Sequence, residues 1–423
     1  MRARKLCTEV MLLVLCVALL ISLGGPSLLV AFAQEPPPPP GCIGGVQPGG
    51  AHYWICMPPP EMWNGDLVVF AHGYVDARQP VSIPVGQLVL PDGTSIPELV
   101  TGLGFAFAVS SYRVNGLAIV EGQQDLVELV GIFTEKYGLP GHVYLLGASE
   151  GGLITALAVE EHADVFDGGL AVCGPVGDFR RQINYFGDVR VVFDYFFPGI
   201  IPGSAIEIPA DVVDNWESVY VPAVTAALLA DPHATDQLLR VTKVAVDPAH
   251  PETRIEAIVG VLAYNVLGTN DAKEKLGGQP FDNWRRWYSG SDNDRKLNRK
   301  VARYKADPAA LAAIEADYQT SGDLGGPLVT MHNLHDPIVP YWHEPLYRLK
   351  IWGQEKWALH NNIPLLRYGH CNVGKLQALA AFGLLVYKVS SSDLDGLANV
   401  LPERSQQDAY HRLLQKRIES VRE

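Results

Sequence analysis

Apolar positions come in short unbroken runs over the first part of the chain. Residues 67–70, 104–109, 143–146 and 170–173 are each almost wholly hydrophobic. A parallel strand covered on both faces needs this continuity, whereas a strand with one wet face would alternate. Between the second and third runs the period changes: Ile119, Leu126, Val130, Phe133 and Tyr137 recur at helical spacing, which predicts a helix over Ile119–Tyr137. His52–Cys56 predicts an earlier strand, stopped by Pro58, Pro59 and Pro60, and residues 153–159 predict a helix. Strands alternating with helices imply a mostly parallel, doubly wound α/β sheet.

From Val176 the rhythm breaks. The next buried strand, residues 328–331, lies roughly 150 residues on, and a crossover between neighbouring parallel strands needs only about 30. Most of this stretch is therefore an insertion. It is helical in pattern at 224–229 and 311–318, with loops at 277–282 and 289–294. We expect it to form a cap over the C-terminal edge of the sheet. It carries an aromatic cluster of Tyr185, Phe186, Phe193, Tyr195, Phe196 and Phe197, which either makes the cap's own core or lines part of a substrate pocket. Beyond it come a helix from about His343, a last strand at 363–368, an apolar helix at 375–389 and a charged amphipathic tail helix.

The start of the chain has a different pattern. Arg2, Arg4 and Lys5 precede an apolar stretch at 10–23, and Ala31-Phe32-Ala33 forms an export-type cleavage signal before Gln34. A signal peptide over 1–33 is expected, with an uncleaved outward-facing membrane anchor as the competing reading. Cys16 lacks the small preceding residue that lipidation requires. The expected division is leader 1–33, a Pro/Gly-rich linker 34–49 that includes five prolines at 36–40, core 50–176, cap 177–324, core 325–400 and tail helix 401–423. No internal repeat is present.

Composition narrows the partners. The net charge is −13, and loss of residues 1–33 removes three basic side chains and one acidic one, leaving −15. No Lys/Arg block stands out, so neither nucleic acid nor a polyanion is an expected partner. Beyond the leader there are four cysteines: Cys42, Cys56, Cys173 and Cys371. Four in an oxidising compartment suggest two disulfides with three possible pairings. Cys42–Cys56 with Cys173–Cys371 is the first candidate, and buried free thiols are the alternative.

The candidate chemistry sits where the third run ends. Gly147-Ala148-Ser149-Glu150-Gly151 follows a strand and opens a helix, the context that a Gly-x-Ser-x-Gly nucleophile turn demands. Gly147 and Gly151 leave room where a side chain would crowd the strand and helix. A serine hydroxyl needs a base, and the base needs a carboxylate to hold it. Loops after later strands offer Asp336 and His370. Asp323 and Glu344 are rivals for the acid, and His332, His335, His343 and His360 for the base, although His343 lies too near Asp336 to come from a separate loop.

With His72-Gly73, Ser149 in its turn, Asp336-Pro337-Ile338-Val339-Pro340 and Gly369-His370, the chain resembles the α/β-hydrolase superfamily over 50–176 and 325–390; the cap lies outside the likeness. The resemblance implies the α/β-hydrolase fold, with the insertion after the strand that follows the nucleophile turn. It also implies a Ser149–His370–Asp336 triad. The backbone N–H groups of Tyr74 and Glu150 would form the oxyanion hole, and no metal or organic cofactor would be needed. The His72 side chain is expected to be structural. His370-Cys371 is also similar to half of the Cys-Ser…Asp…His-Cys arrangement of the tannase and feruloyl esterase family. Residue 148 is alanine here, and Cys173 is placed to tether the histidine loop instead.

The expectation is an exported serine carboxylesterase acting on a small-molecule or polymeric ester, bulky or aromatic in view of the cap. A serine peptidase or amidase related to prolyl oligopeptidases or aminopeptidases is the runner-up. A non-catalytic binding protein on the same scaffold is the third reading.

Overall fold

The computed structural model describes residues 35–390, 398 and 401–422; the expected leader lies outside them. One sheet of eight strands organises the protein: β1 (Cys42–Val46), β2 (His52–Cys56), β3 (Leu67–Ala71), β4 (Ala106–Ser110), β5 (Val143–Ala148), β6 (Gly168–Val172), β7 (Leu328–His335) and β8 (His360–Tyr368). They lie in the order β1-β2-β4-β3-β5-β6-β7-β8. β2 runs antiparallel to both of its neighbours, β1 and β4, and every other neighbouring pair is parallel. The chain steps from β3 outward to β4 and then returns past β3 to β5. The strand order therefore reverses at β3 and β5, and the crevice beyond their C-terminal ends is where such sheets bind ligands.

Within each strand, alternate side chains go to opposite faces. Val68, Phe70, Tyr144, Leu170, Val329 and Met331 pack on one face. That face is covered by α1 (Ile96–Gly102), α12 (Lys375–Ser390) and α13 (Arg404–Arg422), the last docked through buried Tyr410 and Leu414. Leu67, Val69, Ala71, Val143 and Leu145 pack on the other face, under α2 (Ile119–Tyr137) and α3 (Glu150–Glu161).

Between β6 and β7 lie α4 (Phe179–Phe196), α5 (Ala210–Asp214), α6 (Val221–Ala230), α7 (Pro232–Thr242), α8 (Arg254–Lys275), α9 (Asp294–Lys300) and α10 (Pro308–Asp317), with a π turn at Trp216–Tyr220. Ala310 and Ile314 of α10 join the core beneath the sheet, and all but α10 share a second hydrophobic core around Val192, Phe193, Trp216, Leu238, Ile258 and Leu262. Ile338 and Val339, from the loop after β7, belong to this core as well. α11 (His343–Gly353) follows that loop.

Two expectations need correcting. Residues 42–46, expected in a linker, form edge strand β1, which pairs with β2 in register Cys42 to Cys56 and is closed by the Cys42–Cys56 disulfide. Glycine content hides a strand whose stability comes from its partner and the cross-link. The preceding prolines are likewise no free spacer, since the Glu35 carboxylate accepts a hydrogen bond from the Ile83 N–H at 3.1 Å. Helix α1 leaves no trace in the sequence pattern, because seven residues make too few turns to establish a period.

Candidate active site

β5 delivers Ser149 to the crevice. The residue stands at φ 58° and ψ −122°, a conformation side chains rarely adopt, and its N–H donates to the Val172 carbonyl of β6 at 2.9 Å. The flanking glycines are required by contact. A Cβ on Gly147 would come within 2.1 Å of the Gly151 carbonyl oxygen, and one on Gly151 within 2.0 Å of the Ala71 oxygen. Any larger residue would push β3, β5 and α3 apart. Cys173 and Cys371 also have positive φ, so three of the six such non-glycine residues among those described gather at this edge. Strain of this kind concentrates where geometry is imposed for function.

Three loops converge on the serine. His370 Nε2 lies 2.8 Å from Ser149 Oγ, and His370 Nδ1 lies 2.8 Å from Asp336 Oδ2. The carboxylate can only accept, so Nδ1 carries the proton and Nε2 is free to take the one on Oγ. Asp336 Oδ1 accepts from the N–H groups of Ile338 (2.9 Å) and Val339 (3.0 Å), which fixes the carboxylate plane. Burial on its own would raise the pKa of Asp336. The imidazoles of His370 and His332 outweigh burial and lower it to about 2.

The rival residues have other work. His332 stands behind Asp336, with Nε2 2.7 Å from the Val339 carbonyl and 3.6 Å from Asp336 Oδ2, and Nδ1 3.3 Å from Glu344 Oε1. Both ring nitrogens meet acceptors. Burial opposes a charge there, yet Asp336 and Glu344 raise the pKa to about 10. Glu344 Oε2 accepts from Thr330 and from the Asn362 amide, both at 2.6 Å. The pair is a buried counter-ion relay for the acid and no surface feature. His343 is buried, accepts from the Gly177 N–H through Nδ1 and faces Gln182 through Nε2. Burial lowers the pKa of His360 to about 4, and its ring contacts Thr330. His335 offers its carbonyl to Gly369. Asp323 pairs with Lys356.

The histidine loop is held from two sides. Cys371 is bonded to Cys173, one residue past the end of β6, whose Val172 is the register partner of Ala148. The sulfur that reaches the histidine loop thus comes from the neighbouring strand end rather than from position 148. Asn333 donates to the carbonyls of Gly369 (2.7 Å) and Asn372 (3.3 Å). Cys173, His370 and Cys371 lie close enough for three ligand atoms, but the sulfurs are bonded to each other and only one nitrogen is left to bind a metal.

On the opposite side is the turn after β3. The Gly73 N–H is taken by Gln87 Oε1 at 2.7 Å, and Gln87 Nε2 donates to the Tyr74 carbonyl at 3.2 Å. Among the described residues no acceptor takes the Tyr74 or Glu150 N–H, the two expected oxyanion donors. A Cβ on Gly73 would lie 3.1 Å from that of Ser149, so the turn and the serine are in close approach. His72 is buried, stacks on Tyr112 at 3.9 Å and points Nδ1 at the Gly73 carbonyl; burial holds its pKa down at about 4. The Glu150 side chain is also buried and accepts the Ala118 N–H at 2.6 Å, capping α2, and burial pushes its carboxyl up to about 8.

No protein-family model and no curated protein sequence matches the chain. Solved structures do. Feruloyl esterase B from Aspergillus oryzae aligns at 12% identity and TM-score 0.47 over 81% of each chain. An esterase from Pyrococcus furiosus aligns at 10% and 0.40 over 89% of each. The acylaminoacyl peptidase of Pyrococcus horikoshii aligns at 14% and 0.35, over 76% of this chain and 35% of its own. The protein spans about a third of the length of the acylaminoacyl peptidases it matches. The fold is read from the strand order, crossover pattern and serine turn described above, and not from these likenesses. The chain has the α/β-hydrolase fold.

In this α/β-hydrolase fold Ser149 faces two cavities. One, of about 400 Å³, runs from Ser149, His370 and Tyr74 down between the sheet and helices α1 and α12. The other, of about 100 Å³, lies toward the insertion and is bounded by Glu150, Ile183, Phe186 and Tyr264. Of the aromatic cluster, Tyr185, Phe193 and Phe197 are buried in the insertion's core, and Phe186 reaches the smaller cavity, stacked on Tyr264. Sequence reasoning misses Gln87, Asn333 and the His332–Glu344 pair. The last leaves a trace, since Thr330 and His332 are alternate polar positions in the buried part of the strand.

Proposed function

We propose that the protein is an exported serine hydrolase that cleaves carboxylic esters through an acyl-enzyme. The observation that carries the proposal is the chain of two 2.8 Å contacts linking Ser149 Oγ, the His370 ring and the buried Asp336 carboxylate. Ser149 Oγ attacks the ester carbonyl carbon while its proton passes to His370 Nε2. The N–H groups of Tyr74 and Glu150 receive the oxyanion, and Asp336 stabilises the imidazolium. The bond to the alcohol oxygen breaks, and Nε2 returns the proton to it. Water then adds to the acyl carbon with the same base, releasing the acid and restoring Ser149. Export is supported by the leader pattern and by two disulfides, which persist in oxidising compartments. Among the described residues no helix is long and apolar enough to cross a membrane.

Ser149→Ala should lower kcat by about 10⁶ with the fold intact. Near wild-type turnover by that variant would refute Ser149 as the nucleophile, whereas failure of a fluorophosphonate probe to label Ser149 would leave a binding protein on a hydrolase scaffold. A peptidase or amidase would use the same groups. The larger cavity, however, presents no polar side chain apart from the triad, the oxyanion turn, Tyr264 of the insertion and Gln87, whose amide is already engaged. A peptide backbone would go unpaired there. Hydrolysis of p-nitrophenyl esters well above that of aminoacyl anilides supports the esterase; the reverse supports the peptidase.

A further inference from the structure

The larger cavity bears on which ester is cleaved, given the ester-hydrolase reading on which this inference rests. Its walls away from Ser149 are aliphatic or phenyl: Leu99, Leu146, Leu170, Met331, Leu379 and Phe382 are typical. No charged side chain borders it, and Gln87 spends both amide atoms on the oxyanion turn. A phenolic hydroxyl or a sugar lodged there would lose its hydrogen bonds to water without replacement, at a cost that aliphatic carbon does not incur.

Shape adds to chemistry. The parallel strands run toward the serine, so Leu146 and Leu170 lie two residues, about 7 Å, deeper than Ala148 and Val172. Leu103, just past α1, and Phe382, one turn along α12 from Ala378, line the cavity as well. The far end is closed, because Leu170, Val100 and Phe382 are only 3–4% exposed. A blind slot suits the part of the substrate that remains bonded to Ser149 while water attacks. The alcohol must leave first, and one trapped in a closed apolar slot would stand in the way of water.

We infer that the acyl part of the substrate is an unbranched aliphatic chain of medium length, lodged between the sheet and helices α1 and α12, with a small alcohol on the side of the insertion. The aromatic ester suggested by the cap's composition is thereby replaced by a fatty acyl ester.

The test is kcat/KM for p-nitrophenyl acetate, butyrate, octanoate and palmitate, with methyl octanoate against octyl acetate. Each buried methylene is worth about fourfold, so octanoate should exceed butyrate by about 250-fold, with the gain ending before palmitate. Methyl octanoate should exceed octyl acetate by a similar factor. Two variants move the profile in opposite directions, which loss of folding cannot do. Ala378→Phe shortens the slot and should lower the octanoate-to-acetate ratio at least tenfold, about two to three methylenes' worth. Leu103→Ala deepens it and should raise the palmitate-to-octanoate ratio. A flat chain-length profile, a preference for octyl acetate or for methyl ferulate, or variants that leave both ratios unmoved would overturn the inference while leaving the esterase reading in place. Absence of ester hydrolysis together with no fluorophosphonate labelling of Ser149 would instead remove the reading on which the inference rests.

Discussion

The two sides of Ser149 are built differently. Toward α1 and α12 the wall is the sheet's own face, and its residues belong to the same hydrophobic core that folds the protein. Toward the insertion the wall comes from α4 and α8, which carry a separate core, and it includes one buried acid, Glu150. The first wall cannot change shape without disturbing the sheet, whereas the second can vary with the packing of the insertion. The selective part of the site therefore lies in the sheet and the helices packed on it, and the large insertion contributes less to it than its size suggests.

Asp336→Asn gives the baseline against which the two sides are compared. It removes the acceptor that holds the His370 tautomer and should cost about 10⁴ in kcat, equally for acetate and octanoate esters. A loss confined to long chains would mean that the acid loop shapes the slot rather than the base. Gln87→Ala comes next. Its amide clamps Gly73 and Tyr74, so kcat should fall by about 10- to 100-fold through misplacement of an oxyanion donor, with KM for octanoate changed far less. Phe186→Ala enlarges only the insertion side. It should raise activity on bulkier alcohol esters several-fold and leave the acyl-length profile alone; a shift of that profile would merge the two sides into one pocket.

The smallest effect expected is on stability. The Glu150 carboxyl, raised to about 8 by burial, stays protonated in the fold while the unfolded chain ionises near its ordinary value. Stability should therefore drain away as pH rises from about 4.5 to 8. Glu150→Gln keeps an acceptor for the Ala118 N–H and should raise Tm by a few degrees at pH 8 but not at pH 4. His332 has the opposite sign. Its raised pKa contributes stability that is complete below about 6.5 and is lost as pH climbs through about 10.

Reduction of the disulfides bears on the histidine loop. The Cys173–Cys371 link spans 198 residues and, on chain-entropy grounds, stabilises by about 5 kcal/mol, against about 3 for the 14-residue Cys42–Cys56 loop. Cys173→Ala with Cys371→Ala should lower Tm and loosen His370; thiol titration and Tm together check it.

Continuous apolar runs at 67–70 and 143–146, the glycines at 147 and 151, and the order Ser149, Asp336, His370 were enough to read a parallel sheet, its serine turn and three convergent loops. These features are local, because burial on both faces demands apolarity and a tight turn demands glycine. What no local pattern contained was which groups would meet across the fold: Gln87 under Gly73, Asn333 under Gly369, the His332–Glu344 pair behind Asp336, and a slot walled by a short helix that sequence period could not reveal. Burial and hydrogen bonding among residues far apart in the chain depend on how the layers stack, so the identity of the acyl pocket was decided by the tertiary structure.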